Sequence, residues 1–79
     1  MTDALAALKL PNAVEVQTLK LQHQIELVYK ADDLFRASDR AEGFVLGLET
    51  VKALNAASIE GLYKTFEAAA TARRQEREQ

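Results

Sequence analysis

Between Asn12 and Ala37, apolar positions recur at a helical period and cover nearly half the circumference of a helix. Val14, Leu21, Ile25, Val28 and Phe35 form one row, and Val16, Leu27, Ala31 and Leu34 lie beside it. The pattern predicts one long first helix over 12–37. Asn12 and Glu15, three positions apart, form a capping pair at its start. Lys20, Gln22, His23, Glu26, Lys30 and Asp33 populate its outer side, with Glu26 to Lys30 and Asp32 to Arg36 as favourable four-residue pairs. A stripe this broad asks for more than one neighbour.

Around 38–43 two readings stand open. Asp39 with Glu42 is another cap-like pair, yet nothing there forbids a continuous helix. The break is preferred, giving a second helix from Arg40 to Leu54 that buries Phe44, Gly47, Leu48, Val51 and Leu54. Gly43 and Gly47 lie four apart on one face of it. Each glycine costs about 0.5–1 kcal/mol relative to alanine inside a helix, so the pair suggests close approach of another helix. The plainer alternative is that Gly43 marks the break and Gly47 is tolerated. Leu54 to Ser58 reads as a turn, with Asn55 in a left-handed position and Ser58 as the next N-cap. A last helix follows, in which Ile59, Leu62, Tyr63, Phe66, Ala69 and Ala70 keep core-facing spacing and Gly61 weakens the first turn. After Ala72 no apolar residue is left to bury, so 73–79 reads as a solvated, fraying helix end whose Arg73, Arg74 and Arg77 suit the negative end of the helix dipole. Ahead of Pro11, Thr2 caps a short turn over 4–9, which is either a flap on the apolar stripe or a frayed tail.

The resulting expectation is a single all-α domain over 1–79, an antiparallel helical hairpin or three-helix arrangement. With 79 residues it buries only about 60% of its unfolded surface, so it is expected to complete a bundle as a homodimer. Apolar residues make up 48% and charged residues 28%, a globular rather than a disordered balance.

Ten basic and twelve acidic residues give a net charge of −2, evenly mixed along the chain, which argues against nucleic acid as a partner. The chain has no cysteine and hence neither disulfides nor thiolate chemistry. The first eight residues lack a basic leader, and no apolar run nears the roughly 20 residues of a membrane span, so a cytoplasmic protein away from membranes is expected.

Candidate chemistry is sparse. His23 is the one histidine and projects from a polar helix side, so no zinc site can be assembled around it. Asp32, Asp33, Asp39 and Glu42 are the densest carboxylates, but their helical spacing and the lack of an EF-hand loop argue for a solvated face. Ser38 and Ser58 read as caps, and no phosphate-binding glycine loop is present. No catalytic residue, cofactor or metal is assigned.

By subtraction, the expected function is a small non-catalytic interaction module acting on a protein partner as adaptor, chaperone-like cofactor or inhibitor. Val16, Leu27, Leu34, Tyr29, Gly43 and Gly47 are the predicted partner or dimer interface. Phe35, Phe44 and Phe66 read as core. The alternative is a small dimeric nucleic-acid-binding regulator, with an enzyme as a third and weaker reading. The stretch Arg40 to Leu48, followed by Ser58 and an amphipathic helix, resembles the style of short bacterial or prophage accessory proteins, a similarity that identifies no activity.

Overall fold

A computed structural model describes residues 8–78, which form three helices: α1 over Asn12–Glu26, α2 over Ala31–Thr50 and α3 over Ala56–Glu78. The fold is all-α. The expected single helix over 12–37 does not form, because the chain reverses at 27–30 and then runs without a break through 38–43. The reason lies in the phase of the apolar residues. Ile25 and Leu34 are nine positions apart, so a continuous helix would put them about half a turn out of phase, on opposite sides. Reversing the chain between them buries both. The broad stripe is therefore two ordinary stripes belonging to two helices. Val28 and Tyr29, β-branched and aromatic, are weak helix formers at the reversal, while Asp32 and Asp33 favour a helix start in the first turn of α2.

At the start of α1, Pro11 occupies the N-cap position (φ −55°, ψ 147°) and its carbonyl accepts the Glu15 N–H at 2.9 Å. Asn12 is thus the first helical residue and makes no side-chain cap, contrary to its expected role. The fixed proline φ presets the helix entry. α2 ends at Thr50 rather than Leu54. Lys52 takes the left-handed conformation (φ 55°), its N–H bonds the Glu49 carbonyl at 3.1 Å, and the Ala53 N–H bonds the Leu48 carbonyl at 2.9 Å. This pair of bonds is a Schellman motif. Asn55, expected in that left-handed position, instead caps α3 by accepting the Ser58 N–H at 2.8 Å. Ser58 is consequently buried in the first turn and is not the cap.

The core takes Leu21 and Ile25 from α1, Leu34, Ala37, Ala41 and Val45 from α2, and Ile59, Leu62, Phe66 and Ala69 from α3. Each set keeps three-four spacing. Thr18, unnoticed in the sequence, is fully buried and turns its hydroxyl back to the Val14 carbonyl at 2.8 Å. Most of the expected 4–9 turn lies outside the described residues. Leu10 enters the core, and Leu8 fills the space that a Cβ on Gly61 would occupy, which gives that glycine its reason. α3, whose 23 residues rise about 34 Å, sets the 37 Å long axis of the bundle.

Candidate interaction surface

The predicted interface residues separate into three groups. Val16 and Leu27 lie on the outer edge of α1 and are 54% and 72% exposed, with exposed Lys20 and His23 between them. Leu34 does not join them. It is 8% exposed, because with α2 starting at Ala31 it opens the core row that continues through Ala37, Ala41 and Val45. Tyr29 is 82% exposed and sits in the α1–α2 reversal rather than on a helix face. Gly43 and Gly47 lie on the exposed side of α2, where a Cβ on either would meet no neighbouring element within 4 Å, so neither serves a close helix contact within the chain.

The shift of helix phase also moves residues outward. Phe35, expected in the core, is 64% exposed, and Val51, expected to be buried by the second helix, is exposed at its C-cap. Leu46 joins them. A sequence signal for this was present: Leu34, Ala37, Ala41, Val45 and Leu48 form a continuous three-four row, and Phe35 and Leu46 fall off it.

Two grooves flank α2. On the α1 side, Leu27, Val28 and Gln24 face Asp33, Arg36, Ala37 and Arg40. Arg40 donates to Gln24 Oε1 at 3.1 Å and Arg36 meets Asp33 at 3.9 Å. On the α3 side, a cavity of about 300 Å³ is lined by Phe35, Ser38, Asp39 and Glu42 from α2 and by Tyr63, Phe66, Glu67, Ala70, Thr71 and Arg74 from α3. The Tyr63 hydroxyl donates to Glu49 Oε1 at 3.4 Å. Partial burial, and then the Glu49 and Glu42 carboxylates, hold the Tyr63 phenol above its ordinary range.

Arg73 was not singled out by the sequence as a contact residue. Only 19% of its side chain is exposed, and it reaches the α1–α2 reversal, so the solvated-end expectation does not hold at this position. It falls four residues after Ala69, on the core row of α3.

Among the described residues, no three of His, Cys, Asp and Glu converge into a group that could hold a metal ion, and every buried side-chain nitrogen or oxygen has a partner. No described helix is long and apolar enough to cross a membrane. No protein-family model, curated protein or solved structure matches the chain.

Proposed function

We propose that this chain is a small non-catalytic helical interaction module that pairs as a homodimer through the outer edge of α1 and presents its remaining surface to a protein partner. The observation that carries this reading is the exposure of Leu27 and Tyr29, 72% and 82%, two positions apart where α1 ends. Scattered apolar residues are normal on a surface, whereas adjoining large ones mark contact sites. Val16 extends the edge along α1, and Tyr29 is of a type enriched at interface anchors.

Light scattering at micromolar concentration tests the reading. A dimeric mass that Leu27→Glu or Val16→Glu reduces to that of a monomer supports it. A monomeric wild type, or a dimer indifferent to both substitutions, overturns the dimer.

A further inference from the structure

We propose that the groove between α2 and α3 binds a basic amphipathic helix of a partner protein, an inference that rests on the interaction-module reading above. On α3, Tyr63, Glu67 and Arg74 recur on one side, and Phe35, Asp39 and Glu42 face them from α2. The floor is therefore aromatic and the rim acidic. Asp39, Glu42 and Glu67 are exposed and none forms an ion pair with another described residue. The bases of α2 are turned away from them: Arg36 and Arg40 line the opposite groove, engaged with Asp33 and Gln24. Charge is thus segregated across α2, with three carboxylates around the aromatic groove and a single guanidinium, Arg74, at one end.

Size and shape select the occupant. From Tyr63 to Arg74 the wall spans twelve residues, about 16 Å from first to last, or three turns of a bound helix. The cavity, about 300 Å³, lies at the lower limit for small-molecule sites, and its two helical walls suit a row of side chains better than an enclosed metabolite. An amphipathic helix would lay apolar side chains on Phe35 and Tyr63 and extend lysine or arginine to the three carboxylates. The aromatic faces would add cation–π attraction. The same carboxylates repel polynucleotides and anionic lipid.

The test is fluorescence anisotropy with a labelled Leu/Lys amphipathic peptide of about 15 residues, and its Leu/Glu counterpart, at about 50 and 500 mM salt. The Leu/Lys peptide is expected to bind the wild type in a salt-sensitive way and the Leu/Glu peptide not to bind. Binding should weaken about tenfold or more in Glu42→Lys/Glu67→Lys and in Phe35→Ala. Glu60→Lys, whose carboxylate is held by Lys64 outside the groove, should leave affinity within about twofold. All these positions are exposed, so each variant should keep the helical circular dichroism spectrum of the wild type, which is to be recorded beside the binding data. Failure of the basic peptide to bind, indifference to the double substitution, or an equal loss in Glu60→Lys overturns the proposal. Light scattering on the same samples separates the two readings: a dimer that ignores the peptide refutes the groove alone, and a monomer that ignores it refutes both.

Discussion

The Arg73 Nε donates to the Val28 carbonyl at 2.7 Å, tying the last turns of α3 to the reversal between α1 and α2. Val28 lies past the end of the α1 ladder, where carbonyls lose their helical donors, and the guanidinium supplies one. The same group lies 5.8 Å from the centre of the Tyr29 ring and 4.0 Å from the Glu76 carboxylate. One mostly buried side chain thus closes an end of the bundle.

Arg73→Met keeps the apolar stem and removes the bonds. It is expected to cost about 1.5–2 kcal/mol, from a charge-assisted hydrogen bond with a small cation–π share. In a thermal melt this lowers the Tm by roughly 6–15 °C for a chain of this size. A Tm within about 2 °C of wild type would show that the clasp contributes little.

Leu34 and Phe35 are adjacent, and their burial is the reverse of what residue size suggests. Leu34→Ala leaves a void in the core row of α2 and is expected to cost about 2–4 kcal/mol. Phe35→Ala, at the rim of the α2–α3 groove, is expected to cost about 0.5 kcal/mol or less. Urea denaturation of the two variants measures the difference, and equal midpoints would contradict the phase assigned to α2.

At the α2–α3 turn, Lys52 holds a left-handed backbone that glycine adopts freely, so Lys52→Gly is expected to raise stability by about 1 kcal/mol. Asn55→Ala removes the oxygen that caps the Ser58 N–H and is expected to lower stability by about 1 kcal/mol. Opposite shifts of Tm in the two variants are the diagnostic outcome. A gain from Asn55→Gly with none from Lys52→Gly would return the left-handed position to Asn55.

The third helix was legible because Ile59, Leu62, Phe66 and Ala69 announce one phase and Asn55 announces the turn before it. The first two helices were misread for one reason: two adjoining stripes of different phase, read as one, look like a single wide stripe. Period alone does not locate a reversal that carries no glycine or proline, and 27–30 has neither. The cap-like Asp39 and Glu42 drew the break to the wrong place, where Ala37, Ala41 and Val45 hold a continuous core face. Within the candidate surface, Val16, Leu27 and Tyr29 were legible as exposed apolar groups. Leu34 and Phe35 exchanged places because their exposure depends on where α2 begins, and Arg73 was missed because charge masked its position on the core row.

The three glycines, alike in sequence as helix-weakening residues, differ in what surrounds them. A Cβ at Gly43 or Gly47 meets nothing within 4 Å, whereas one at Gly61 runs into the Leu8 side chain. Alanine at Gly43 or Gly47 is therefore expected to stabilise by about 0.5–1 kcal/mol through helix propensity alone. At Gly61 the same gain is offset by displacing Leu8, which packs against the core, so Gly61→Ala is expected to be neutral or destabilising. In a Leu8→Ala background the obstruction is gone and Gly61→Ala should stabilise by the full amount. The coupling between positions 8 and 61 in a double-mutant cycle should then reach about 1 kcal/mol, against about 0.3 or less between 8 and 43. Additivity at both pairs would show that the segment before α1 does not rest on α3.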